Sequence, residues 1–362
     1  MSAALPVFPW DTLTEAAAVA RAHPGGIVDL SVGTPVDPVA PAIQAALSEA
    51  AAVPGYPWTA GTPELRSSAV AALRRRYGIT ELPEHAVLPV IGSKELIAWL
   101  PTLLGLGAGD LVVVPELAYP TYEVGARLAG TRVLAADSLT QLGPESAAVI
   151  FLNSPSNPTG RVLGVDHLRK VVGWARERGA LVVSDECYLG LGWDEQPRSV
   201  LHPDVSEGDH TGLLAVHSLS KSSSLAGYRA GFVAGDPAVI AELLAVRKHA
   251  GMMVPGPVQA AMVAALDDDD HEIAQRGRYA CRRDVLMAAF GSAGFTIEHS
   301  EAGLYLWATR DEPCGDTVDW LAQRGILVAP GDFYGTAGAR HVRVAMTATD
   351  ERVQTAAERL AR

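Results

Sequence analysis

From about residue 86 onward, short apolar runs alternate with helical stretches so regularly that few folds accommodate them. The runs read "AVLPV", "DLVVVPE", "TRVLAA", "AAVIFLN", "ALVVSDE", "GLLAVHSLS" and "RAGFVAG", with helical patterns such as "SKELIAWLPTLLGLG", "YPTYEVGARLAG" and "VDHLRKVVGWARERG" among them. This alternation predicts an α/β fold, a large domain whose mostly parallel central sheet is covered by helices on both faces. Ligands of such sheets lie at the carboxyl ends of the strands. After residue 236 the chain turns helical, and the tail offers "FTIEHS", "GLYLWATR", "DTVDWLAQRG", "ILVAPGDFYG" and "HVRVAMTA", a smaller α+β unit. Residues 40–268 are expected to form the large domain and 269–362 the small one. Residues 1–39, too short and too rich in Pro and Gly to fold alone, are expected to join the small domain as an N-terminal segment. The acidic run Asp267–Asp270 reads as a solvated link between helices, with N-cap chemistry at its end.

At 362 residues the chain exceeds any single small module. A formal charge of −12 and the lack of a Lys/Arg-rich run argue against a nucleic-acid or anionic-membrane surface, leaving small-molecule chemistry. The uncharged stretch Ala250–Leu266 is broken by Pro255, Gly256 and Pro257, too short and interrupted to span a bilayer. No secretory signal pattern opens the sequence. Cys187, Cys281 and Cys314 show no CxxC spacing, so neither a disulfide framework nor a metal site is expected, and the reading is cytoplasmic.

Lysine is scarce: four residues, Lys94, Lys170, Lys221 and Lys248, among 29 lysines and arginines. Lys170 and Lys248 sit in amphipathic helical patterns as solvated charges. Lys221, in "SLSKSSSLAGYRAG", instead follows an apolar run that reads as a buried strand. A lysine at such a strand end can be desolvated and lose its proton, as an amine nucleophile must. In "LVVSDECYLG" another apolar strand delivers Asp185, Glu186 and Tyr188 to its end. A nucleotide hydrolase would need GxxxxGK[ST], which is absent, and no GxSxG elbow exists. A buried aspartate at one strand end and a lysine at the next, with small hydroxyl residues and glycines nearby, suit pyridoxal 5'-phosphate. That cofactor needs a lysine for its aldehyde, a carboxylate for its pyridinium nitrogen and a cradle for its phosphate.

Seven motifs in order, "YPWTAGTPELR", "GSKE", "PELAYPTY", "NSPSNPTG", "SDECY", "SLSKSSSLAGYRAG" and "VRVAM", span essentially the whole chain. Together they resemble the class I/II pyridoxal-phosphate-dependent aminotransferases of fold type I. The resemblance implies that Lys221 bonds the cofactor aldehyde and shuttles the substrate Cα proton, and that Asp185 faces the pyridine nitrogen. It implies that Tyr188 and Asn157 hydrogen-bond the 3′-oxygen and that Tyr119 stacks on the ring. For the phosphate it implies backbone N–H groups of Ser93 and Lys94, with Ser218, Ser220 and Arg229 completing the cradle. The Lys94 side chain is expected to point to solvent, and Ser222, Ser223 and Ser224 to serve as turn and capping residues. Arg343 would clamp the substrate α-carboxylate, and Gly33 would close over it as the N-terminal segment moves. Tyr56 would reach the cofactor of the partner subunit, implying a homodimer with shared active sites, and "HAGMMVPGP" would cross the same interface.

The distal pocket, which sets the substrate, is poorly marked. The compact length and the wording of "SVGTPVDPV", "GYPWTAGTPELR", "RKHAGMMVPGPVQAAM" and "APGDFYG" are most similar to the succinyldiaminopimelate transaminases. That likeness implies exchange of an amino group between N-succinyl-LL-2,6-diaminopimelate and 2-oxoglutarate. Phe333 and Tyr334 read equally as pocket lining or as core. Aspartate, aromatic or kynurenine-type aminotransferases and a β-lyase on the same fold stay open. A cofactor-binding regulator lacks the expected basic patch or helix-turn-helix unit.

Overall fold

The apolar runs become strands of three sheets. In the computed structural model, which describes residues 5–6, 8–143 and 145–362, the first strand is β1 (Val28–Asp29). The alternating region then supplies β2 (Val87–Ile91), β3 (Leu111–Val114), β4 (Arg132–Ala135), β5 (Val149–Asn153), β6 (Leu181–Asp185), β7 (Leu213–Ser218) and β8 (Ala230–Gly235). These seven later strands form one sheet in the order β2-β8-β7-β6-β5-β3-β4. Only β8 runs against its neighbours; the other six are mutually parallel. Except in the edge strand β4, the side chains are buried on both faces in two separate clusters: Leu88, Val112, Phe151, Val183 and Val216 on one, and Val113, Ile150, Val182 and Ala215 on the other. Burial of one such side chain stabilises the fold by about 1.5–3 kcal/mol, so the sheet is also the energetic centre of this region.

Local chemistry sets the helix limits. The helix Pro63–Tyr77 starts with Pro at its first turn and with the Thr62 hydroxyl accepting from Leu65 N at 3.1 Å. It ends with three arginines in its last turn, favourable against the helix dipole, and with Gly78 at φ 68°. The acidic link departs from its expected role. Asp268 Oδ1 accepts from Asp270 N at 2.9 Å, but the Asp269 carboxylate binds Arg75 Nε at 2.5 Å and Arg76 Nε at 2.6 Å instead of capping the helix Asp270–Ser292. Two arginines from a helix far earlier in the chain won that carboxylate, and no local pattern reveals such pairing.

The tail builds β9 (Thr296–Glu298), β10 (Tyr305–Thr309), β11 (Ile326–Leu327), β12 (Ala329–Pro330) and β13 (His341–Ala345). A four-stranded sheet runs β12-β13-β10-β9, while β1 pairs in parallel with β11, Val28 opposite Ile326. Leu13, Val28 and Leu30 share one apolar cluster with Leu286, Phe290, Val342 and Val344, which seats the N-terminal segment on this second sheet. Asp37 fastens the end of that segment, accepting from Arg282 Nη1 at 2.7 Å and Nη2 at 2.6 Å. Among the described residues, no helix is long and apolar enough to cross a membrane.

Candidate active site

Three neighbouring parallel strands end side by side. Asn153 closes β5 opposite Asp185, which closes β6, and Ser218 closes β7. The Ser218 hydroxyl accepts from Ser220 N at 3.1 Å, starting a single turn, Leu219–Ser222, that carries Lys221. Tyr279 Oη donates to the Lys221 carbonyl at 3.1 Å, and Lys221 Nζ donates to the carbonyl of Gly33 in the N-terminal segment. Burial lowers the Lys221 pKa, as an attacking amine requires.

Asp185 is buried, and burial raises its pKa, opposed by bonds to the ionised form. Its Oδ2 accepts from Tyr122 Oη at 2.8 Å and its Oδ1 from Cys187 N at 3.2 Å. The next residue differs in character: fully buried Glu186 accepts from Val200 N at 2.8 Å, and burial pushes its pKa up to about 7. Tyr188 is buried beside Tyr305, hydroxyl to hydroxyl at 3.2 Å, and burial also pushes its phenol upward.

Asn157 and Arg343 arrive from opposite halves of the sequence and meet. Asn157 N donates to Asn153 Oδ1 at 2.7 Å, and Asn157 Oδ1 accepts from Arg343 Nη1 at 2.8 Å. Arg343 Nη2 donates to the Ser31 carbonyl at 2.6 Å, in a turn that Asp29 holds by accepting from Ser31 N and Oγ. The guanidinium lies 4.0 Å from the Tyr305 ring centroid and 5.0 Å from that of Tyr334, and its buried Nε has no partner among the described residues. An unpartnered N–H on a buried cation is set for an anionic guest.

Across the cavity, Gly92 (φ 75°) opens the helix Ser93–Leu103 with no side-chain cap. Glu95 anchors that first turn, accepting from Ile91 N at 3.2 Å and from buried Arg247 Nη1 at 2.9 Å. Arg229, itself at φ 57°, lays its guanidinium over the bare Gly92 Cα, where any Cβ would collide with it. Free helix N–H groups, the Arg229 guanidinium, which donates to the Ala226 carbonyl at 2.9 Å, and the Ser218 and Ser220 hydroxyls thus converge as an anion cradle.

Gly33, Ser93, Lys94, Tyr119, Asn157, Asp185, Tyr188, Ser218, Ser220, Lys221, Arg229 and Arg343 all line one cavity of about 450 Å³, within the range of small-molecule sites. Tyr56 is not among them: it is 94% exposed, on the surface. The Lys94 side chain is exposed but does not leave the site as expected. It leans across the mouth, Nζ 5.4 Å from the Phe8 ring centroid and 5.8 Å from that of Tyr119, because two aromatic faces attract an ammonium. Phe333 and Tyr334 line no part of this cavity. Phe333 packs on Trp10 at 5.7 Å and Tyr334 is buried against Trp307, where it backs Arg343.

Eight lining residues escaped the sequence reading, four of them aromatic: Tyr122, Tyr305, Phe8 and Trp10. Tyr122 had a signal, lying three residues after Tyr119 in the same motif, although Tyr119 precedes the helix Thr121–Ala129 that carries Tyr122. Tyr305 had none, since it reaches the site through pairing of β10 with β13. An amine whose pKa burial lowers, a hydrogen-bonded carboxylate and a separate anion cradle answer each requirement of pyridoxal phosphate.

Comparison with known proteins agrees. The family model "Aminotransferase class I and II" matches residues 26–360. A probable aminotransferase of Mycobacterium tuberculosis is 79% identical, over 99% of this chain and 86% of that protein. The 4-dedimethylamino-4-oxo-anhydrotetracycline transaminase OxyQ of Streptomyces rimosus is 60% identical, over 98% of this chain and 99% of that one. Among solved structures, a probable N-succinyldiaminopimelate aminotransferase from Thermus thermophilus superposes with a TM-score of 0.86 at 30% identity, covering 98% of this chain and 99% of its own.

Proposed function

The chain belongs to the class I and II aminotransferases, a pyridoxal-phosphate-dependent family of fold type I, and from that premise we propose a substrate and a role for each cavity residue. The reaction is a ping-pong transfer of an amino group from N-succinyl-LL-2,6-diaminopimelate to 2-oxoglutarate. The observation that carries the chemistry is the placement of Asp185 and Lys221 at the ends of adjacent parallel strands in one cavity with Arg343.

When bound, the cofactor supplies an electron sink for negative charge at the substrate Cα. Asp185, ionised within its hydrogen bonds from Tyr122 and Cys187 N, holds the proton on the ring nitrogen. Lys221 binds the aldehyde carbon and, when free, carries the proton to and from the substrate Cα. Tyr188 and Asn157 orient the ring through its 3′-oxygen, Tyr119 covers a ring face, and Ser93, Lys94, Ser218, Ser220 and Arg229 hold the phosphate. Arg343 takes the substrate α-carboxylate, with its open Nε and its stacking on Tyr305 fixing the guanidinium plane. Gly33 and the segment before it exclude water, and Tyr56 serves the partner subunit's site in a homodimer.

The substrate assignment draws support from the 30% identity to the probable N-succinyldiaminopimelate aminotransferase across nearly the whole of both chains. The 60% identity to a transaminase acting on a tetracycline precursor favours a second reading, a bulky cyclic ketone as acceptor. Absorbance spectra of cofactor-loaded enzyme separate them as amino donors are added one at a time without keto acid. Loss of the visible cofactor band to a near-ultraviolet band with both glutamate and N-succinyl-diaminopimelate is the expected result. A response to glutamate but not to the succinylated donor discards the substrate and keeps the transaminase. Lys221→Ala should lose the visible band and turnover, and retained turnover would remove Lys221 from its role.

A further inference from the structure

A second cavity lies behind the active site. It holds about 140 Å³ and is floored by Val113, Ile150 and Leu152, side chains on the sheet face opposite Val183. Leu139, Leu163 and Val171 wall it from outside. Engineered aliphatic cavities of about 150 Å³ take a benzene-sized guest, which sets the scale of what fits here.

The rim of this cavity is polar. Arg161 is exposed at this rim, its backbone N–H held by the Thr159 hydroxyl at 3.2 Å, and its guanidinium makes no hydrogen bond or ion pair with any described residue, so it is open to a guest from solvent. His167, which burial keeps from protonating readily, and His299 stand at the same rim. Two carboxylates stand near it: Asp137 accepts from Glu116 N at 2.9 Å, and Glu301 accepts from Val162 N at 3.0 Å and lies 3.7 Å from His299 Nδ1. A planar guanidinium fork with no protein partner selects a carboxylate, and the aliphatic floor selects an apolar body; a bare inorganic anion would leave that floor unfilled. The loop from Asn153 to Arg161 separates the two cavities. Asn153, Ser156 and Thr159 face this one, and Asn157 faces the active site.

We propose that this cavity is a second ligand site, for a small carboxylic acid with a benzene-sized apolar body, anchored by Arg161. The site is independent of the substrate assigned above. A guest there would touch the loop that positions Asn157, the partner of Arg343.

Fluorine NMR titration of the holoenzyme with 4-fluorobenzoate tests the proposal. The expected result is saturable binding that weakens at least tenfold in Arg161→Gln and stays within twofold of wild type in Arg343→Lys. Leu163→Phe, which fills the cavity, should remove the same binding by a route independent of charge. No saturable binding to the wild type, binding kept in Arg161→Gln or in Leu163→Phe, or binding lost in Arg343→Lys overturns it; the last outcome would mean that the probe sits in the active site.

Discussion

Gly92 shows how much one absent methyl group contributes. Its φ of 75° and the guanidinium of Arg229 over its Cα leave no room for a side chain. Gly92→Ala should displace Arg229 from the helix start and weaken cofactor binding at least tenfold, read as the cofactor dissociation constant by fluorescence quenching; unchanged affinity would remove Arg229 from the cradle. Residues of this kind divide by how far their partners lie in sequence. Asp185 and Lys221 were legible because each follows an apolar run that could only be a buried strand. Tyr122 was half legible, through its spacing from Tyr119. Tyr305, Phe8 and Trp10 were silent, because strand pairing and segment docking bring them in from distant parts of the chain, and no local pattern encodes that.

Elements were legible where they are long and periodic. The seven strands of the main sheet announced themselves as apolar runs, whereas β1 and β11, two residues each, exist only because each supplies the other's hydrogen bonds. The acidic link is another such case. Hydrogen bonding to Arg75, and then to Arg76, holds the Asp269 carboxyl far below its ordinary value of 3.8. A lowered carboxylate stabilises the fold above its unfolded value and loses that contribution as pH falls through the folded one. Asp269→Asn should therefore cost about 1 kcal/mol at pH 7, small because the group is partly exposed. The gap from wild type should close as pH drops below about 4, measured by urea midpoints across pH. A gap that stays undiminished down to about pH 2 would contradict the ion-pair origin.

For the whole molecule, Arg282 is the meeting point of three distant parts. From the long helix Asp270–Ser292 it holds Asp37 at the end of the N-terminal segment and Asp350, at 2.6 Å, in the last helix, while its own side chain is only 3% exposed. Replacing it with methionine leaves Asp37 half-enclosed without its cation. Arg282→Met should destabilise the fold by about 3 kcal/mol and speed amide exchange across residues 28–37, seen by hydrogen-exchange mass spectrometry. Unchanged exchange there would show that the apolar cluster of Leu13, Val28 and Leu30 alone holds the segment.

The reversal of β8 acts at the same scale. Two parallel neighbours would need a crossover of about a dozen or more residues that carries the chain back to the far edge of the sheet. Because β8 is antiparallel, the eleven residues from Leu219 to Arg229 need only turn around at the near edge. Lys221 and Arg229 are therefore two marks on one short ruler, and its length bounds the distance from the proposed nucleophile to the proposed phosphate anchor. Lengthening that connection by one residue would move one mark against the other, whereas the same insertion in a loop on the opposite edge would leave both in place.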